Sequence, residues 1–354
     1  MVDYIIVGCG LAGIAFSETA LQHGRSVVVF DDSSQTSSTI AGGLYNPVIL
    51  KRFSGLQNAQ AQLDKLVPFY RALEDRLLIK VLHPLPILRR FHSIEEQNDW
   101  FSASDKPILS DFLSPNLVTT RFNGIESPFA YGEVLQTGYV DTEKLLKSYT
   151  QYLRAIESYR DETFSYIDII RNSDFFEYRG IKARNIVFAE GFGIHANPYF
   201  NYLPLEGTKG ELLIIEAPDL QLDKIINSSI FILPLGNNRF KLGATYNWVD
   251  KTNNPSPAGL AELLQRAREV LNCEFKVIQH HAGIRPTLAD RKPLLGRHPE
   301  IRGYYVFNGL GTRGVMLAPY MAEELFKNIE DGSAIAAENS ITRYAASYPL
   351  TDRN

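Results

Sequence analysis

Asp3-Tyr-Ile-Ile-Val7-Gly8-Cys-Gly10-Leu11-Ala12-Gly13, followed by residues 14–23 and then Val27-Val-Val-Phe30-Asp31-Asp32, decides the fold. The run at residues 3–7 is short, apolar and rich in β-branched side chains, which reads as a strand buried on both faces. Residues 14–23 read as a helix that Gly24 stops. Residues 27–30 read as a second buried strand, ending in two acids. In this strand–turn–helix–strand context each glycine has a task. Gly8 permits the tight turn, Gly10 lets a pyrophosphate approach the backbone, and Gly13 lets the helix pack on the strand. The free N–H groups and positive end of the helix suit a diphosphate. The Asp31 carboxylate is placed to accept ribose hydroxyls. The motif predicts a dinucleotide site and leaves open which dinucleotide.

Working outward, 354 residues exceed what one hydrophobic core usually serves, so two domains are expected. A composition of 45% hydrophobic and 21% charged residues is that of a globular enzyme. A net charge of -4 argues against a strong polyanion binder. Cys9 and Cys273 are the only cysteines, with no CxxC, so neither a zinc site nor a disulfide framework is expected. That usage fits a reduced, cytoplasmic setting. The apolar residues 4–16 lack a basic flank and are broken by glycines, so we expect no secretory signal there. With no apolar run of about 18 residues elsewhere, no membrane association is expected.

Further segments carry a resemblance. Ser38-Thr39-Ile-Ala41-Gly42-Gly43-Leu44-Tyr45-Asn46-Pro47, Gly283-Ile-Arg285-Pro-Thr-Leu-Ala-Asp290-Arg-Lys-Pro293-Leu-Leu-Gly296 and Gly309-Leu-Gly311-Thr312-Arg313-Gly314-Val315-Met-Leu-Ala-Pro319 occur in this order. Between them lie Ala189-Glu190-Gly191 and Pro234 through Gly243-Ala-Thr245. Together with the N-terminal motif they resemble the D-amino-acid-oxidase superfamily of flavoproteins, glycine oxidase and its relatives in particular. The last turn is also similar to the FAD-dependent half of the bifunctional enzyme that makes methylaminomethyl-uridine in tRNA.

The resemblance implies an α/β fold: a Rossmann-type FAD-binding domain at residues 1–50, 140–205 and 283–354, and a mixed-sheet α+β substrate domain at 51–139 and 206–282. It implies non-covalent FAD, since the C-terminal segment has no Cys. It extends the cofactor site to Asp32, to Ser38, Thr39, Ala41, Gly42, Gly43, Leu44 and Asn46, to Ala189, Glu190 and Gly191, and to Gly309, Gly311, Thr312, Arg313, Gly314 and Val315. It implies hydride removal from the carbon next to an amine, with Arg285 binding a substrate carboxylate and Tyr246 and Tyr45 as aromatic walls. The planar guanidinium can give a carboxylate two parallel donors; the competing reading pairs Arg285 with Asp290. The substrate is a small amine or amino acid, alternatively a carboxymethylaminomethyl nucleoside of tRNA; a flavin-binding protein without turnover is a third reading. Two departures stand out: Glu190 where the family has a small residue, and Glu211 where it has Gln. Residues 92–116 are polar, contain Pro107 and Pro115, and read as an edge loop or lid.

Overall fold

The structure is a computed structural model that describes residues 1–348. The N-terminal reading holds: strand Val2–Val7, helix Leu11–Gln22 and strand Val27–Asp31 follow one another. The helix begins three residues earlier than its apolar pattern suggests, because Gly10 is already its N-cap. Gly24 follows the helix at φ +70°, the left-handed region that glycine enters without steric cost.

The first large sheet runs Tyr159–Asp161, Val27–Asp31, Val2–Val7 and Ile181–Phe188 in spatial order, all parallel. Tyr304–Asn308 continues it in parallel beside residues 186–188, and a hairpin of Ile169–Arg171 and Phe176–Tyr178 caps the other end of the same strand. Strands buried on both faces require cover on both. Helices Leu11–Gln22, Ala59–Leu77 and Gly314–Asp331 pack on one face. Phe164, Ile194, Phe200 and Leu203 cover the other.

The second large sheet is mixed. Its order is Lys276–Arg285, Thr208–Glu216, Arg239–Gly243, Phe231–Gly236, Ile225–Asn227, Ile87–Arg90, Tyr131–Val134, Leu113–Val118. All neighbours are antiparallel except Ile225–Asn227 beside Ile87–Arg90. Helix Pro257–Arg268 lays Leu263 and Ala267 on one face of it. Arg285 is the last residue of the edge strand, so it stands on this sheet.

Residues 92–116 correct the sequence reading. They form helix Ile94–Ser104 and lead into strand Leu113–Val118. The Ser93 hydroxyl accepts from Glu96 N–H at 3.2 Å, and Glu95 and Glu96 complement the positive helix end. The helix buries only a narrow stripe, so its polar composition hides the period. Trp100 is fully buried, donates to the Ser114 carbonyl at 2.9 Å, and occupies the space that a side chain at Gly132 would fill. Among the described residues no helix is long and apolar enough to cross a membrane.

Candidate active site

A cavity of about 1920 Å³ runs from the Gly8 turn to the second sheet. That exceeds the roughly 300–1,000 Å³ of a drug-sized ligand pocket and suits a dinucleotide together with a substrate. Its first end is built by the glycine turn. Gly8, at φ +100°, is packed so that a Cβ would stand 2.5 Å from the Ala189 carbonyl oxygen. A Cβ at Gly13 would stand 1.9 Å from the Gly8 carbonyl oxygen, so Gly13 serves the site by close packing and does not line it. Asp31 lines the cavity and accepts from Cys9 N–H at 2.5 Å and Ser33 N–H at 2.8 Å. Burial raises its pKa in spite of those two donors.

Residues 8, 10–12, 31–32, 38, 41–44 and 46 all line the cavity, as do residues 189–191, 309 and 311–315. Ser38 is tied to the turn: its Oγ accepts from Leu11 N–H at 3.1 Å. The half-buried Glu190 carboxyl pairs with no cation among the described residues. It accepts from the Tyr166 hydroxyl and from Asn197 Nδ2 at 2.7 Å, and burial pushes its pKa up to about 7. The Gly191 carbonyl accepts from Asn308 Nδ2 at 2.9 Å, which joins this segment to the turn before helix Gly314–Asp331.

The other end is one face of the second sheet. The register sets Thr208 opposite Arg285, Gly210 opposite Gly283, and Leu212 opposite Gly243. With Phe231 these residues line the cavity. The Arg285 guanidinium lies over Gly210, where a Cβ would stand 1.9 Å from Nη2. Its Nη1 donates to the Thr245 carbonyl at 3.2 Å, and its Cζ sits 4.7 Å from the centre of the Tyr246 ring. Among the described residues it has no carboxylate partner. Asp290 instead accepts from Arg343 Nε at 3.1 Å and from the Tyr344 hydroxyl at 2.8 Å, which removes the competing reading of Arg285. Burial lowers the Arg285 pKa, the cost of holding a cation out of water without a counter-ion.

Three expected positions lie elsewhere. Tyr45 is 3% exposed, faces the helical core, and packs against Gly138 across a strand pair; burial pushes its pKa up to about 12. Side chains alternate along an extended segment, so Leu44 and Asn46 face the cavity and Tyr45 faces away. Thr39 does not line the cavity, although Ser38 and Ile40 on either side of it do. Glu211 is not on the substrate rim. It points from the opposite face of the sheet, where it accepts from Ser256 N–H at 2.9 Å and Ser256 Oγ at 2.7 Å.

Four cavity-side residues escaped the sequence reading. Gly210 makes room for Arg285. Phe231 fits between Gly42 and Gly243, whose Cβ positions would each stand 2.8 Å from its ring. Trp248 lines the mouth. Lys241 is half-buried beneath residues 38–47, donating to the Ala41 carbonyl at 3.1 Å, and desolvation lowers its pKa. A lysine following Phe240 on an apolar strand was the available signal.

The glycine turn, Asp31 and Arg285, which has no carboxylate partner among the described residues, therefore face one continuous cavity. Residues 3–327 match the family profile described as DAO, FAD dependent oxidoreductase. The tRNA 5-methylaminomethyl-2-thiouridine biosynthesis bifunctional protein of Marinobacter nauticus is 23% identical over 92% of this chain and 55% of its own length. The chain thus spans about half of that relative. Glycine oxidase of Bacillus subtilis is 22% identical over 90% of each chain. The crystal structure of glycine oxidase from Geobacillus kaustophilus superposes with a TM-score of 0.76 at 22% identity, covering 97% of this chain and 98% of that one.

Proposed function

The chain belongs to the DAO family of FAD-dependent oxidoreductases, and from that premise we propose that it oxidises the carbon–nitrogen bond of an N-substituted glycine. The observation that carries the proposal is Arg285: a guanidinium on the cavity wall, braced by Gly210, Thr245 and Tyr246, with no carboxylate partner among the described residues. FAD, when bound, accepts the hydride that leaves the carbon next to the amine. Arg285 holds the carboxylate two bonds from that nitrogen, which fixes the reacting carbon in distance and direction. The substrate nitrogen gives up a proton, and water splits the resulting imine into an amine and a 2-oxo acid. Phe231, Leu212 and Tyr246 wall the cavity in which that step takes place.

The cofactor is held without a covalent bond in this reading. Cys9 is buried at the turn with its thiol pushed up to about 12, and Cys273 does not line the cavity. Acid precipitation of the yellow protein is expected to leave FAD in the supernatant. Colour retained in the pellet would contradict the non-covalent assignment.

The mouth supports a second reading. Lys51, Arg52 and Arg291 line it, are exposed, and have no ion pair among the described residues. The 51–58 and 290–293 segments meet where Lys292 Nζ donates to Gln57 Oε1 at 2.9 Å, so these cations share one rim. Cations lining the same cavity as the exposed Tyr246 and Trp248 rings suit an N-substituent that carries a base and phosphates, as on a carboxymethylaminomethyl nucleoside in RNA.

One panel tests both readings. Anaerobic bleaching of the flavin is expected to be faster with N-methylglycine than with N-methylethylamine. Charge-assisted hydrogen bonds of about 1.5–3 kcal/mol each make the preference at least roughly tenfold. Equal rates would remove the reason for assigning Arg285 to the substrate. Reduction by tRNA bearing the carboxymethylaminomethyl group, weakened by added salt, would select the second reading.

A further inference from the structure

Lys209, Gly210 and Glu211 stand side by side on strand Thr208–Glu216, and alternation sends them to opposite faces. Gly210 faces the cavity and makes room for the Arg285 guanidinium. Lys209 and Glu211 face the other way, toward the loop between Gly243 and helix Pro257–Arg268, and both are almost fully buried.

The Lys209 ammonium donates to Asp250 Oδ2 at 2.5 Å, the Asn254 carbonyl at 2.6 Å and Thr252 Oγ1 at 3.3 Å. This bond first, then those from Thr252, holds the Asp250 carboxylate down to about 2. The Lys209 backbone pairs with Asn247 in both directions, at 2.8 and 2.9 Å. Glu211 takes the N–H and hydroxyl of Ser256 and lies 3.7 Å from Lys209 Nζ. His280 Nε2 approaches the same carboxylate at 2.7 Å, without hydrogen-bond geometry. Glu211 N–H donates to Thr245 Oγ1 at 2.9 Å. The inner side of the loop is thus fastened at residues 245, 247, 250, 252, 254 and 256, while its outer side exposes Tyr246, Trp248 and Val249.

We infer that Lys209 and Glu211 are positioning residues for substrate binding: they pin the 245–256 loop, and the loop holds the Arg285 guanidinium between Gly210, the Thr245 carbonyl and the Tyr246 ring. This rests on the proposal that Arg285 takes the substrate carboxylate. A fully buried ammonium is costly unless each N–H is satisfied, so its three partners are held at fixed points. Three exposed apolar side chains at the tip would otherwise favour collapse of the loop into the cavity. A pinned loop keeps the Tyr246 ring on the arginine and the mouth open, which spares the substrate the ordering cost.

The test uses holoenzyme with Lys209→Met and, as a gentler variant, Asp250→Asn. Glycolate binding, read from the flavin spectrum, supplies the carboxylate probe. Limited proteolysis reads the loop, and flavin fluorescence reads FAD affinity. Both variants are expected to bind glycolate at least tenfold more weakly and to be cut within 245–256, with FAD affinity unchanged. A purely structural loss would weaken FAD and glycolate together and would overturn the inference. Parent-like glycolate binding, or a loop as resistant as the parent's, would overturn it too. A parent enzyme that takes no glycolate would instead sink the carboxylate role of Arg285, and this inference with it.

Discussion

Gly10→Val is expected to yield a folded protein that has lost most of its FAD. Of the three glycines in the turn, only this one separates binding from folding. Gly8 lies at φ +100°, and a Cβ there would meet the Ala189 carbonyl; a Cβ at Gly13 would meet the Gly8 carbonyl. Substitution at either disturbs backbone packing before any cofactor arrives. Gly10 has φ -75° and ψ -171°, which any residue adopts, and its nearest neighbour would be Ser38 Oγ at 3.0 Å, a side chain that can turn aside. What valine occupies is therefore the space where a diphosphate must meet the first N–H groups of helix Leu11–Gln22. Overlap of this kind costs about 1–3 kcal/mol, or roughly five- to two-hundredfold in the dissociation constant. Titrating apoprotein with FAD while following the quenching of flavin fluorescence measures it, and a parent-like melting temperature shows that the fold persists. An unchanged dissociation constant would mean that the diphosphate does not lie on Gly10.

What the sequence made legible follows the range of each interaction. The glycine turn and its flanking strands are local: spacing, β-branching and helix stop all lie within about thirty residues, and Gly8 and Gly13 stand in the tight turn and close packing expected of their positions. The Arg285 segment was recognisable, but its surroundings were not, because Gly210, Thr245 and Tyr246 reach it only through strand register. Asp290, near Arg285 in sequence, is turned toward Arg343 and Tyr344 in space. Tyr45 failed as a site residue for a related reason. In a two-residue strand no alternation can be read, so nothing in the sequence distinguished Tyr45 from Leu44 and Asn46. Glu211 looked like a change at the substrate rim. Its partners Lys209, Ser256 and His280 show it to be a change behind the sheet, where a Glu can serve a lysine that a Gln could not neutralise. Helix Ile94–Ser104 was hidden because one buried tryptophan anchors it, too sparse a signal for periodicity.

Arg285→Lys is expected to keep FAD bound and to slow flavin reduction by a glycine-like donor by roughly thirty- to a thousandfold in kcat/KM. The wall of the cavity is shaped for a flat group. Gly210 leaves a slot with no Cβ, the Tyr246 ring lies 4.7 Å from the guanidinium carbon, and the Thr245 carbonyl takes one N–H. An ammonium in that slot keeps the charge but neither stacks in the same way nor offers two parallel donors, so the carboxylate can pivot and carry the reacting carbon off line. Losing about two charge-assisted bonds, partly offset by the retained charge, costs on the order of 2–4 kcal/mol. Gly210→Ala is the matching experiment from the other side. It leaves the arginine in place chemically, but its methyl would occupy the guanidinium position, so the variant is expected to lose donor binding while retaining FAD. Rapid anaerobic mixing reports the reduction step directly. Reduction at the parent rate in Arg285→Lys would assign the arginine a structural role. Loss in Arg285→Lys with parent behaviour in Gly210→Ala would show that the guanidinium is needed but not held in the slot seen here.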